Sequence, residues 1–392
     1  MQVNRPYRIV YCTPALYSAG GVERIVSVKA NYFAECYGYD VTILITEGFN
    51  KNPFFPISEK VRVVNLNIGF EELWNKPFWK TILIYLLKQY KYKRRFKEEI
   101  LRLHPDIIIS TLRREINFLA EINDGSIKIG ELHLNRANFR TVGTGKCSFV
   151  QRYFVKWWRT KLLCHLRQLD KFVVLTESAV EEWPELNNVV MIPDPLPIRV
   201  DALSPLTVEH VATIGRYSYE KGYDLLLRSW AIVQNEIPNW HLDVYGMGDV
   251  DAYKNLAFQL GLDMSRCHIY GSVNDVEHVY QNCSIFALSS RFEGFGLVIV
   301  EAMACGVPVI SFACQSGPLE LINDGVNGLL VPLGDVSSFA EKLVDLIKDS
   351  ELRTSRAENG LKTVRSYSIE NVAKQWKELF DVLMQNDLSN EL

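Results

Sequence analysis

The strongest constraint on this chain is a rhythm in its second half, where short apolar runs alternate with stretches of helical period. VEHVATIG (208–215) precedes GYDLLLRSWAIVQ (222–234), and HLDVYG (241–246) precedes AYKNLAFQL (252–260). CHIYG (267–271) precedes DVEHVYQNC (275–283). SIFALSS (284–290) precedes LVIVEAMACG (297–306), and VPVISF follows. Continuous apolar runs of this length predict strands covered on both faces. Strand–helix repetition at this pitch predicts βαβ units and a parallel sheet.

The first half repeats the theme more loosely. Its strand candidates are RIVYC (8–12), YDVTILIT (39–46), VRVVNL (61–66), DIIIST (106–111), IKIGEL (127–132), KFVVLT (171–176) and NVVMI (188–192). A chain of 392 residues exceeds one ordinary core. The stretch IPDPLPI (192–198) carries three prolines, which continue neither a helix nor a central strand, so it is the predicted linker. The expected fold is α/β: two Rossmann-like, doubly wound parallel-sheet domains facing a central cleft. The N-terminal domain covers 1–196 and the C-terminal domain 197–368. The tail, with Ile369, Val372, Trp376, Leu379 and Leu383 roughly in register, forms a helix.

The stretch RFEGFGLVIVEAMACGVPVI (291–310) carries the most chemistry. A strand ends, Gly294 and Gly296 allow close approach to the backbone, and a helix begins. Its first amides lack intrahelical partners and suit an anion. Glu293 and Glu301 flank this turn, and carboxylates accept hydrogen bonds from the hydroxyls of a polyol. An anion seat beside polyol acceptors describes a sugar nucleotide. The plainer alternative is a helix-terminal carboxylate favoured by the macrodipole. Upstream, GRYSYEKGYDLLL (215–227) sends Arg216 and Lys221 off the end of a strand, where they would serve phosphate oxygens. SAGGVERIV (18–26) opens a helix with Gly20 and Gly21 but lacks the dinucleotide fingerprint.

These segments, with LDVYGMGD (242–249) and SGPLELINDGVNGLLVPLGD (316–335), resemble the retaining glycosyltransferases of family 4, whose architecture is GT-B. The Glu-x7-Glu pair Glu293 and Glu301 matches that family's signature. The resemblance covers most of the second half; in the first it rests on the glycine loop and the strand order. It implies that Arg216 and Lys221 bind a diphosphate and that Glu293 meets the donor sugar. It further implies that Gly294, Phe295, Gly296 and Leu297 supply amides and that Glu301 holds the ribose. Gly20 and Gly21 would touch the distal phosphate, Tyr245 and Gly246 would line the cleft, and the backbone near Ser272 and Val273 would meet the base. The family's cleft histidine would be His133 in IGELHLN (129–135). Many relatives place Glu directly before this histidine, whereas Leu132 stands here. The C-terminal helix, from about 369, would return to the first domain.

The expected reaction is hexosyl transfer from a UDP-sugar, or secondly a GDP-sugar, to a hydroxyl of a glycan or lipid-linked acceptor, as in surface polysaccharide biosynthesis. A sugar-nucleotide epimerase or hydrolase and a non-catalytic nucleotide-sugar-binding protein are the alternatives. No cofactor and no metal are expected. Asp249-Val250-Asp251 resembles a metal-binding Asp-x-Asp but precedes a helix, where aspartates cap. KQYKYKRRFK (88–97), after an apolar stretch from 80, and RYFVKWWRTK (152–161) are basic and aromatic, and would suit an anionic membrane surface. A net charge of −3 argues against nucleic acid. Eight scattered cysteines without a CxxC pair, and no signal-peptide or membrane-spanning run, lead to a cytoplasmic expectation, peripheral at the membrane's inner face.

Overall fold

The computed structural model describes residues 5–73, 78–136, 139 and 160–390. The second basic aromatic segment, 152–161, lies almost wholly outside them. The chain divides into two compact units, Met1–Pro195 with Ile369–Leu392, and Leu196–Ser368.

The first unit holds a seven-stranded sheet: β1 (Arg8–Cys12), β2 (Asp40–Ile45), β3 (Val61–Asn65), β4 (Ile107–Ser110), β5 (Ile127–Glu131), β6 (Lys171–Val174) and β7 (Val189–Met191). Its spatial order is β3-β2-β1-β4-β5-β6-β7, and every pairing is parallel. Successive side chains of a strand face opposite sides. Val10 and Cys12 therefore enter one core, with Phe96, Ile100 and Leu166. Ile9 and Tyr11 enter the other, with Val26, Ala30 and Trp376. Helix α1 (Gly21–Cys36) lines the second core, and α2 (Phe78–Leu103) turns Tyr92, Phe96 and Ile100 into the first. The helix Ile369–Asn390 closes the α1 side with Val372, Ala373, Trp376 and Phe380 fully buried. The expected Leu379 and Leu383 pack only partly, and Phe380 takes the deep position.

The second unit holds β8 (His210–Ile214), β9 (His241–Tyr245), β10 (Cys267–Tyr270), β11 (Ile285–Leu288), β12 (Val309–Phe312) and β13 (Gly328–Val331). Their order is β10-β9-β8-β11-β12-β13, again all parallel. The sequence reading names five of these strands. The sixth, β13, has four residues after a glycine-rich turn, too few to show a pattern. Helices α3 (Tyr223–Glu236), α4 (Val250–Gln259) and α5 (Leu297–Ala304) follow β8, β9 and β11. Both sheets are thus Rossmann-like and doubly wound.

Sequence order reverses between β1 and β4 in one sheet and between β8 and β11 in the other. Ligands of such sheets bind outside the carboxyl ends of the strands at this reversal. In the second unit, the loops leaving β8 and β11 are those that carry Arg216, Lys221 and Glu293.

Candidate active site

The loops after β8 and β11 meet backbone to backbone. Gly222 has φ +61°, and a Cβ there would lie 2.2 Å from the carbonyl oxygen of Ser289. Only glycine allows that approach. Around it, Ser289 Oγ donates to the Lys221 carbonyl at 2.9 Å, and Arg291 N donates to the Glu220 carbonyl at 2.7 Å. Arg291 forks onto Asp224 with two bonds of 2.8 Å and covers the Tyr219 ring at 4.3 Å. The guanidinium holds the Asp224 carboxyl below its ordinary range, against the smaller effect of burial.

This clamp brings two predicted residues together. Lys221 Nζ donates to Glu293 Oε1 at 2.7 Å, and Ser290 Oγ donates to the same oxygen at 2.5 Å. Both charged side chains are largely shielded from water. Arg216 is exposed on the same loop as Lys221, near enough to Glu220 to help lower that carboxyl's pKa behind the Ser218 hydroxyl and a backbone bond.

Beyond Glu293 the chain passes Gly294 and the buried Phe295, whose ring meets Tyr367 edge-on at 5.5 Å. Gly296, at φ +90°, is the N-cap of α5, and no side chain caps the helix. The apolar α5 has no acidic residue in its first turn, so nothing of its own competes for the leading amides from Leu297 onward. Glu301 lies one turn in, 3% exposed, with Tyr280 Oη donating to it at 2.8 Å. The expected ribose acceptor is therefore a buried carboxylate already held by a phenol.

Tyr245 and Gly246 end β9. The Tyr245 ring stacks on Tyr270 at 4.7 Å, and burial first, then Asp243, pushes its hydroxyl up to about 12. Ser272 lies exposed and Val273 half-buried in the loop after β10. Asp249 caps α4, accepting from Ala252 N at 3.0 Å, which is the capping role expected of it.

The remaining predicted residues belong to the first unit. Gly20 is the N-cap of α1 and Gly21 its first residue. Glu23, held by Ser18 Oγ at 2.6 Å, folds its carboxylate back over Gly20, so this helix start already faces an acidic group of its own. His133 lies beyond the end of β5, its side chain 7% exposed. Nδ1 is 3.3 Å from Asp194 Oδ2 and Nε2 is 3.6 Å from Glu131 Oε1. Glu131 in turn pairs with the buried Lys29.

Glu131, His133 and Asp194 each offer a ligand atom within 4.8 Å of the others. The two ring nitrogens face different carboxylates and Lys29 occupies Glu131, so the arrangement fits an ion-pair network better than a metal centre. Sequence reasoning missed Lys29, Asp194, Tyr280 and Ser290. Asp194 and Tyr280 stood in stretches read only as a linker and a helix, and Ser290 ended a strand one residue before the stretch 291–310.

Comparisons with known proteins place the chain's likenesses among glycosyltransferases. Residues 197–363, which contain Arg216, Lys221, Glu293 and Glu301, match the family described as glycosyl transferases group 1. The chain is 28% identical to an uncharacterized glycosyltransferase of Haemophilus influenzae over 92% of its own length and 96% of the relative's. It is 22% identical to the amylovoran biosynthesis glycosyltransferase AmsD of Erwinia amylovora, over 96% of this chain and all of the relative. Among solved structures, Anabaena Alr3699/HepE in complex with UDP-glucose superposes with a TM-score of 0.71 at 18% identity, covering 96% of this chain and all of the other. The fold is that of the GT-B glycosyltransferases.

Proposed function

We propose that the chain is a retaining glycosyltransferase of family 4 that moves a hexosyl group from a nucleotide diphosphate sugar to a hydroxyl. The observation that carries this reading is the Lys221–Glu293 pair beside the uncapped start of α5, at the strand-order reversal of the second sheet. Cations and free amides there suit a diphosphate, and the carboxylate beside them suits sugar hydroxyls.

When the sugar leaves, negative charge grows on the diphosphate. Arg216, Lys221 and the leading amides of α5 meet it, in place of a metal ion. Fixed donors aimed at developing charge are usually the largest catalytic contribution. Lys221 Nζ would bridge its present partner Glu293 and the phosphate, which sets the distance between sugar and leaving group. With no nucleophile placed for a covalent intermediate among the described residues, the acceptor attacks from the face the diphosphate leaves, and the phosphate takes its proton. Glu301 holds the ribose, and the backbone of Ser272 and Val273 the base. His133 takes part in catalysis, and Gly20 and Gly21 in donor binding.

UDP-sugar is the preferred donor, as the similarity to a UDP-glucose complex supports, with GDP-sugar second. A glycan or lipid-linked acceptor in polysaccharide biosynthesis is supported by the similarity to the amylovoran enzyme. Thermal shift with UDP, GDP and their sugars tests the donor, since a ligand of the folded state raises apparent stability. Arg216→Ala should lower turnover by about 10²–10³. Normal turnover in that variant, or no shift with any nucleotide, overturns the reading.

A further inference from the structure

The group around His133 is built from four elements. Lys29 comes from α1, Glu131 from β5, Tyr11 from β1, and Asp194 from the proline-rich stretch after β7. Lys29, Glu131, Tyr11 and Asp194 are all buried. The carboxylates lie on either side of the imidazole, one toward each ring nitrogen.

Charge counting shows what such a cluster requires. Two carboxylates and one ammonium leave one negative charge in excess, and an unbalanced buried charge is costly. A second cation removes the excess, and the imidazole is the titratable group placed to supply it. Among the described residues, Glu131 has no donor besides Lys29, and Asp194 none besides the imidazole. Glu131 Oε2 and Asp194 Oδ1 have no hydrogen-bond partner among the described residues, and neither has the nearby Tyr11 hydroxyl. An imidazolium carries an N–H on both nitrogens. It donates to Asp194 through Nδ1 and sets its charge 3.6 Å from Glu131, where Nε2 has no hydrogen-bond partner among the described residues; neutral imidazole offers Asp194 the bond but neither carboxylate the charge.

We propose that Glu131 and Asp194 hold His133 as an imidazolium at neutral pH, making it a fixed cation and hydrogen-bond donor and unfit to act as a general base. Asp194 is thereby a positioning residue: it fixes the ring through Nδ1 and supplies half of the charge that keeps the proton. Burial alone lowers the pKa of His133, but Asp194 and Glu131 outweigh it and the net shift is upward, with Lys29 opposing. The consequence for catalysis rests on the glycosyl-transfer reading; the charge state does not.

The test is NMR titration of the full chain labelled at its seven histidines, with His133→Gln identifying the signal. In the wild type the His133 signal should stay that of an imidazolium at pH 7. Asp194→Asn keeps the shape and removes the charge, and should lower that midpoint by about 1–3 pH units. Asp194→Glu should restore it in part. The alkaline limb of the turnover profile should move down with the midpoint in Asp194→Asn. A neutral His133 at pH 7 in the wild type overturns the proposal and needs no variant to fold. An unchanged midpoint in folded Asp194→Asn also overturns it. If no nucleotide sugar turns over, glycosyl transfer fails as a reading while the titration still decides the charge state.

Discussion

Lys29 and Glu131 form the most deeply buried ion pair among the described residues. Lys29 also lies 4.7 Å over the Trp376 ring and 5.7 Å from that of Tyr11. Removing one partner of such a pair leaves a stranded charge. Glu131→Gln should therefore destabilise the first unit by about 3–5 kcal/mol, read from its denaturant midpoint. Replacing both by apolar residues of similar volume, Lys29→Met with Glu131→Leu, should cost clearly less.

His133 adds a pH signature. Its folded pKa lies above the unfolded value, so its stabilisation is fully present below the ordinary histidine range. That stabilisation is lost as pH rises through the elevated folded value. Denaturation midpoints of the first unit should fall over this window in the wild type and change less in Asp194→Asn. In the second unit, Glu293→Gln keeps the Ser290 bond but removes the charge facing Lys221, and should cut turnover with little change in the melting temperature.

At the scale of elements, α2 separates its residues sharply. Tyr92, Phe96 and Ile100 face inward, while Leu83, Leu86, Leu87 and Tyr90 are 58–72% exposed. Arg94 and Lys97 continue that outer stripe at helical spacing. The basic run read from sequence as one membrane-facing patch is divided by the structure. Lys88 bonds the carbonyl of Ile68 and the Glu72 carboxylate, Arg95 bonds the carbonyl of Leu66, and Lys93 pairs with Glu121. Those cations anchor α2 to its own unit. The outer stripe, apolar for two turns and then carrying Lys97 and an Arg94 that pairs with Glu98, is what would face an anionic bilayer surface. Leu86→Glu with Leu87→Glu should abolish sedimentation with anionic phospholipid vesicles and leave turnover of a soluble acceptor unchanged. Equal sedimentation of both proteins would rule out this stripe as a membrane-facing surface. No helix among the described residues is long and apolar enough to cross a membrane.

The strands were legible because parallel strands buried on both faces read as unbroken apolar runs. The loops after β8 and β11 were legible because glycine and charge stand together at strand ends. Lys29 was not, because a lysine amid VSVKANYF carries no local sign of burial; its partner comes from a strand about a hundred residues on. Asp194 was hidden differently. Its prolines identified a linker, and a linker residue is not expected to hold a histidine.

At the scale of the molecule, the first unit is discontinuous in the chain. Its second core is completed by Val372, Ala373, Trp376 and Phe380, which follow the whole of Leu196–Ser368. Trp376→Ala should cost the first unit about 3–5 kcal/mol and leave the second unit's melting unaltered. A chain ended at residue 368 should lose the first transition altogether, as separate calorimetric peaks would show.

The same discontinuity orders events on the ribosome. The sheet translated first cannot cover Ala30 and Phe33 until the stretch around Phe380 has emerged. At ordinary synthesis speeds that delay is roughly 10–40 s. Throughout it the later-made unit is free to fold, while the earlier one keeps an oily flank open to chaperones or to a neighbouring nascent chain.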